Sequence, residues 1–347
     1  MTDYRKFLRE YDGRTIRIME VCGTHTASIA HTGIVSLISP KIELISGPGC
    51  PVCVTVTEYI DRLIELSLTP DTVVVTFGDM IRVTGSQKSL QDVRSEGGQV
   101  RMVYSPLDIT SLAEAHPEKT FVFAAIGFET TAAVYAALID GIVESGIRNI
   151  RLLTSLKTMP PVIEWVCSMQ GGIDGFLAPG HVSVITGSDL FKPLAEAHGV
   201  PFAVAGFEGE EILMALYALV KMISHGESRV MNLYPSVVTS KGNLAAQHMI
   251  SKYFAACDAA WRGMGIIPHS GLMLREEYSM FDAGSGNLYS DHSHHPKCCC
   301  AKVITGALKP PQCPLFGTLC TPDKPQGACM VSAEGSCCSY FVNRRKE

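Results

Sequence analysis

Apolar positions along this chain follow two alternating patterns. Short runs rich in β-branched residues, Ile16–Val21, Ile42–Ser46, Thr72–Phe77, Val100–Val103 and Phe121–Ile126, read as strands. Between them, Thr57–Leu68 and Leu107–Ala115 carry the three-to-four-residue spacing of helices, and residues 3–10 read as a further short one. Thr55-Val-Thr-Glu58 has the spacing of a capping box, which would supply partners for the free N–H groups at the start of helix 57–68. Helices placed between apolar strands imply βαβ units and therefore a parallel sheet.

A long helix, Thr130–Ser145, leads into a second unit with strands Ile150–Ser155, Gly175–Ala178 and Pro201–Ala205. Helix Glu210–Ser224 has apolar residues around much of its circumference and is expected to be well buried. Beyond Asn232 the alternation fades. Helix Gly242–Ala256 remains legible, and the rest is rich in Gly, Pro, His and Cys. From about residue 285 onward the pattern predicts a small domain organised by a metal rather than by a core. The expected fold class is α/β: two doubly wound, Rossmann-like parallel-sheet domains facing a cleft, with a small C-terminal metal domain. The boundaries fall at 1–135, 136–235 and 236–347.

Composition narrows the function. The chain has 347 residues, enough for two or three cores, and 46% apolar with 18% charged residues is the balance of a folded globular protein. A net charge of −5 without a basic run argues against nucleic acid or an anionic membrane as partner. The charged start MTDYRKFLREYDGR is unlike a secretory signal, and no apolar stretch reaches the ~18 residues of a membrane span. The expected location is the cytoplasm, where clustered cysteines serve metals or redox chemistry more often than structural disulfides.

The cysteines supply the chemistry. Eight of thirteen lie in the last 50 residues: Cys298, Cys299, Cys300, Cys313, Cys320, Cys329, Cys337 and Cys338. Four thiolates suffice for an iron–sulfur cluster or a zinc, so this tail holds a surplus able to exchange electrons with a cluster. A zinc ribbon would use two CxxC knuckles, which the tail lacks, and the absence of CxxxCxxC argues against radical chemistry on S-adenosylmethionine. A second set of thiols lies near the start, Cys22 in CGTHT and Cys50 and Cys53 in GPGCPVC. All three follow predicted strands and precede helix starts. That placement puts them on the carboxyl rim of a sheet, where helix N-termini favour a thiolate. His25 could donate a hydrogen bond or hold a positive charge beside Cys22. Cys22 alone would serve equally as a small buried hydrophobe, and Cys50-Pro-Val-Cys53 fits either a redox dithiol or half of a structural zinc site. Gly47-Pro-Gly49 lacks the third glycine of a dinucleotide fingerprint.

Two further strand-to-helix turns, Gly127-Phe-Glu-Thr-Thr131 and Pro179-Gly-His-Val-Ser183, bring Glu129 and His181 to sheet rims. Either residue can simply cap a helix or satisfy backbone groups. Facing each other across a cleft, they would polarise or protonate groups within it. The stretch Asp291-His-Ser-His-His295 could bind metal or be a solvated loop.

Taken in order, CGTHT at 22–26, GPGCPVC at 47–53, GFETT at 127–131, PGHVSVITG at 179–187 and the tail 313–337 resemble the signatures of the HypD family of nickel–iron hydrogenase maturation factors. The resemblance covers nearly the whole chain. It implies a scaffold and redox factor, rather than a conventional turnover enzyme, on which iron acquires two cyanides and one carbon monoxide. A small chaperone, HypC, would dock at an open cleft around Cys22 and supply a second thiolate, and HypE would deliver cyanide. Cys22 would bind the iron, with Cys50 and Cys53 as redox dithiol or further iron ligands. The C-terminal domain would carry a 4Fe–4S cluster in surroundings similar to those of ferredoxin–thioredoxin reductase. On that pattern Cys298, Cys313, Cys320 and Cys337 ligate the cluster, and Cys300 and Cys329 form a redox pair; a rival assignment exchanges Cys298 for Cys329. The chain departs from the family at Cys299 and Ala301, within the usual CxCG, and at Cys338. A cluster-dependent thiol–disulfide oxidoreductase acting on a protein, and a zinc-stabilised interaction module, are the alternative functions.

Overall fold

The computed structural model describes residues 3–169, 172–292 and 295–343. Its strands are β1 (Ile16–Glu20), β2 (Ile42–Ser46), β3 (Thr72–Thr76), β4 (Val100–Met102), β5 (Thr120–Gly127), β6 (Ile150–Lys157), β7 (Gly175–Pro179), β8 (Phe202–Ala205), β9 (Val230–Asn232), β10 (Phe254–Trp261) and β11 (Gly265–Leu274). They form two sheets. The first has the order β2-β1-β7-β8-β9 and is parallel throughout. The second has the order β10-β11-β6-β5-β3-β4, with β6, β5, β3 and β4 parallel and the β10–β11 hairpin added antiparallel at the β6 edge. The α/β class with two doubly wound sheets is as the alternating pattern predicts.

Sheet membership does not follow the expected grouping at residue 135. After β2 the chain leaves the first sheet, builds β3 to β6 in the second, returns for β7 to β9, and goes back for β10 and β11. Each sheet therefore reverses strand order once among its parallel strands, between β1 and β7 in the first and between β3 and β5 in the second. Such reversals open a crevice at the carboxyl ends of the strands.

Three regions depart from the sequence reading. Helix 242–256 is shorter, Leu244–Tyr253, and the chain then runs straight into β10. The strand Phe-Ala-Ala-Cys-Asp-Ala-Ala-Trp is built mostly of small residues, so it carries no β-branched signal. Its turn into β11 is marked by Gly263 and Gly265, both at positive φ. Second, the capping box at 55–58 does not form. Val56 occupies the N-cap, the Thr55 hydroxyl donates to the Pro51 carbonyl at 2.8 Å, and Thr57 N–H is taken by Asp291 Oδ1 at 3.3 Å. Glu58 instead accepts from Ser290 N–H at 2.6 Å, so the helix start is clamped by a distant segment.

Third, the tail is not a metal domain lacking a core. Val303, Ile304, Leu315, Met330 and Val331 are buried in the same apolar cluster as Met19, Ile45 and Val52 of the first sheet's rim. Gly306 shows how close the packing is: a Cβ there would meet Ile45 Cγ2 at 2.4 Å, and its φ is +73°. The His-rich stretch lies partly outside the described residues, at 293 and 294. Among the described residues no helix is long and apolar enough to cross a membrane.

Candidate functional site

The first sheet's reversal brings together the turns that follow β1, β2 and β7. Cys22 is the extended N-cap of helix Gly23–Thr32 and is 8% exposed. The Gly47-Pro-Gly49 turn lies directly on it: Gly23 N–H donates to the Gly49 carbonyl at 3.0 Å, and a Cβ on Gly49 would stand 2.3 Å from Cys22 N. Only glycine permits that approach. Cys50 and Cys53 follow at once as a disulfide, with Cys50 the N-cap of the short helix Pro51–Val54. The two N-terminal thiol motifs are thus one structure.

The Cys22 thiol is not the activated thiolate its helix position predicts. It is pushed up to about 12, by burial first and with the carboxyls of Glu20 and Glu334 adding to it, against the backbone N–H groups of His25 and Thr24. Glu20 is the last residue of β1, buried, with Oε2 accepting Cys22 N–H at 3.0 Å and Oε1 accepting the Thr26 hydroxyl. Burial raises it to about 8, so at neutral pH it is mainly a neutral acid. Glu334 reaches in from the tail: it accepts the Thr24 hydroxyl at 2.8 Å, and a Cβ on Gly23 would lie 2.6 Å from its own Cβ.

His25 is fully buried, and its Nε2–H donates to the Gly206 carbonyl at 2.9 Å. Burial, aided by His181, lowers it to about 4, so it is neutral and holds no positive charge beside Cys22. Its Nδ1 is buried without a partner among the described residues. His181, at the turn after β7, stacks on Phe207 with ring centres 4.0 Å apart, and His25 lies against the same ring at 4.7 Å. Glu334 acts electrostatically on His181 as well as on Cys22. His181 thus belongs with Cys22. Glu129 sits instead at the rim of the second sheet, where Oε1 accepts Met159 N–H at 2.8 Å and the buried Oε2 has no partner among the described residues. Burial raises it to about 7.

The rim is not an open cleft. The segment from Ala328 to Ser339 lies across it. The Ala328 carbonyl oxygen is 3.9 Å from Cys53 Sγ, and the Ser339 hydroxyl donates to the Thr26 carbonyl at 3.4 Å. Arg82 holds the same segment through the Val331 carbonyl at 3.4 Å.

That closure sets the tail sulfurs beside the rim. Cys329, next to Ala328, has its Sγ 3.2 Å from Cys337 Sγ, and its N–H donates to Cys300 Sγ at 3.4 Å. Gly327 gives Cys298 and Cys300 room, since a Cβ there would lie 2.8 Å from Cys298 Sγ. Cys320 accepts Gln326 N–H at 3.3 Å and feels both Cys298 and Cys313, and Cys337 feels Cys300, Cys320 and Cys313. The extra Cys299 is partly exposed and faces Cys313. Cys338 stands apart, facing Arg82 and Asp79. Among the described residues no three His, Cys, Asp or Glu side chains already meet at metal-binding separations. The donor set nevertheless fits an iron–sulfur cluster in chemistry: six sulfurs, five of them buried, in one group. Burial raises the Cys320 thiol, and hydrogen bonding to Cys300 followed by burial raises Cys298, so thiolates there require a compensating cation.

Sequence reasoning missed Glu20, Glu334 and Phe207. Glu20, a charged residue ending an apolar strand two positions before Cys22, was the one visible signal among them.

Comparison with known proteins agrees with the motifs. A family model described as "HypD: Hydrogenase formation hypA family" matches residues 2–344. The hydrogenase maturation factor HypD of Escherichia coli is 39% identical over 338 residues, covering 96% of this chain and 91% of that protein. The factor of the same name from Azotobacter vinelandii is 38% identical, covering 96% and 90%. A putative hydrogenase expression/formation protein of Methanocaldococcus jannaschii is 40% identical, covering 95% and 92%. With the Cys22 rim, the Cys50–Cys53 pair and the tail sulfurs all in place, the chain belongs to the HypD family of hydrogenase maturation factors.

Proposed function

We propose that this chain holds an iron atom at Cys22 while two cyanides and one carbon monoxide are installed on it, as cargo for a nickel–iron hydrogenase. The observation that carries the reading is the junction of the two thiol sets: Cys53 touches the carbonyl next to Cys329, and Gly49 joins Cys50 to Cys22. A soft thiolate suits low-spin iron, which cyanide and carbonyl ligands stabilise. Cys22, His25 and His181 form the cargo site. His25 is a neutral ring fixed by Gly206, able to orient groups but not to carry charge. Glu20 can take or give a proton near neutral pH beside the Cys22 backbone.

A 4Fe–4S cluster, when bound, would supply single electrons, and Cys298, Cys313, Cys320 and Cys337 are the residues that would hold it. Cys300 and Cys329 then remain as an exchange pair beside Cys53. Cys50–Cys53, oxidised here, would take up two electrons and two protons from the Cys300–Cys329 dithiol, which becomes a disulfide in turn, and would pass two electrons toward the rim only on re-forming its own disulfide. Glu129 acts elsewhere, as an anchor for Met159 N–H. Because the tail covers Cys22, a HypC-like chaperone bringing a second thiolate must displace residues near Glu334, and a HypE-like donor would deliver cyanide to the site so opened. We place these events in the cytoplasm.

A cell lacking its own relative provides the test. Expression of this chain is expected to restore nickel–iron hydrogenase activity, and the Cys22→Ala variant is expected not to. Equal restoration by both would overturn the reading. The second reading, a thiol–disulfide oxidoreductase acting on a protein, is favoured by the Cys50–Cys53 disulfide. It predicts that Cys53→Ser abolishes reduction of a protein disulfide while Cys22→Ala does not.

A further inference from the structure

The amino ends of β3, β4 and β5 hold a pocket that belongs to neither thiol set. It encloses about 850 Å³ counted to its mouth, the scale of a small-molecule site. Two turns build it, one from helix Leu90–Ser95 into β4 and one from helix Asp108–Ala115 into β5. Among the described residues its wall carries Arg94, Arg101, His116 and Lys119 and no acidic side chain. In a chain of net charge −5, that is a local reversal of sign. The pocket opens at the end of the second sheet opposite Glu129, which follows the carboxyl end of β5.

The cations are open to a ligand. Arg94 and Arg101 are exposed, and Lys119 is half-buried. Among the described residues none of the three forms an ion pair or donates a side-chain hydrogen bond. The neighbouring acids are engaged elsewhere: Glu96 pairs with Lys88 at 2.6 Å, and Glu118 with His116 at 3.3 Å. Lys119 acts on Glu118 electrostatically without pairing to it. Arg94 and His116 sit at helix carboxyl ends, where a cation also suits the helix dipole. Arg101 on β4 and Lys119 ahead of β5 have no such use. Like charges gathered round one space repel, and a multiply charged anion between them relieves that cost. Val73, Leu112 and Phe121 make the rest of the wall apolar, and a bare inorganic anion would leave that surface uncovered.

We propose that this pocket binds a small phosphate monoester, its phosphate held by Arg94, Arg101 and Lys119 and its apolar group laid on Val73, Leu112 and Phe121. A guanidinium meets two phosphate oxygens as a fork, and the lysine ammonium adds a point charge. A single carboxylate would answer one of these charges and leave the others. No residue of this site belongs to the Cys22 rim or the tail, so it stands apart from the maturation reading.

The test is calorimetric titration of the full, cluster-loaded chain, anaerobically and at fixed ionic strength, with inorganic phosphate and with phenyl phosphate. Phenyl phosphate is expected to bind one per chain and about tenfold tighter than inorganic phosphate, the worth of burying part of its ring. Arg101→Gln and Lys119→Gln are each expected to weaken phenyl phosphate about tenfold, as loss of one charge-assisted hydrogen bond does. Excess phenyl phosphate is also expected to slow acetylation of wild-type Lys119 by acetic anhydride, read by peptide mass spectrometry. This last measurement decides if a variant does not fold. No saturable binding, equal affinity for the two ligands, unchanged affinity in either variant, or no protection of Lys119 would each overturn the proposal.

Discussion

Replacing Glu20 by Gln tests the idea that the Cys22 rim is built on a neutral buried acid. Burial raises this carboxyl from 4.5 to about 8. Between those two values the folded chain keeps a proton that the unfolded chain has released. Its contribution to stability is therefore whole below the unfolded value, falls as pH rises, and is lost once pH passes the folded value. The gap between the two values corresponds to roughly 5 kcal/mol, at about 1.36 kcal/mol per pH unit. Relaxation of the rim and water entry reduce that figure, so a few kcal/mol is the working expectation. Glu20→Gln keeps the shape and a carbonyl acceptor for Cys22 N–H or Thr26, and cannot ionise. Near pH 5 the variant is expected to match wild type within about 1 kcal/mol, the scale of one neutral hydrogen bond. Near pH 8.5 it is expected to be the more stable of the two. Urea unfolding of both proteins in matched anaerobic buffers from pH 5 to 9 measures the difference, and subtraction removes Glu129 and His25, which titrate in both. Parallel stability curves across that range would refute the reasoning.

Further outcomes follow from the same geometry. Gly49→Ala puts a Cβ 2.3 Å from Cys22 N and 2.5 Å from Cys22 Cα, both backbone atoms that cannot swing aside. It is expected to destabilise by about 1–3 kcal/mol or more, as overpacking does; an unchanged unfolding midpoint would contradict the contact. Glu334→Ala removes a carboxylate and opens the face of Gly23, so Cys22 is expected to alkylate faster with iodoacetamide; an unchanged rate would mean the tail does not shield it. Cys313, Cys320 or Cys337 replaced by Ala is expected to lose the brown iron–sulfur absorbance and to loosen the tail, whereas Cys300→Ala keeps the colour and impairs maturation. Loss of colour in Cys300→Ala would exchange ligand and spare thiol.

Strand positions were legible because short apolar runs, most of them rich in β-branched residues, mark them, and the Cys22, Cys50 and His181 turns were legible because each follows such an apolar run. Which sheet a strand joins was not, since β2 and β3 carry the same kind of apolar signal and only the crossover decides. That ambiguity put Glu129 on the same rim as the thiols, when β5 carries it to the other sheet. The β10 strand was hidden by its alanines, whose pattern fits helix and strand alike. Closure of the rim was also illegible. It depends on Glu334 and Ala328 meeting residues some 300 positions earlier, and no local spacing encodes such a contact. The neutrality of His25 follows from its burial against Gly206 and Phe207, which the turn after β8 supplies, and from His181.

The central claim, that Cys22 is the protein thiolate holding cyanide- and carbonyl-bearing iron, is tested most directly by infrared spectroscopy. The chain is purified anaerobically after co-expression with a HypC-like chaperone and a HypE-like donor, as wild type and as Cys22→Ala. The account predicts cyanide and carbonyl stretching bands in the wild type, and their loss in the variant with its tail cluster intact. Bands of wild-type intensity in Cys22→Ala would contradict it.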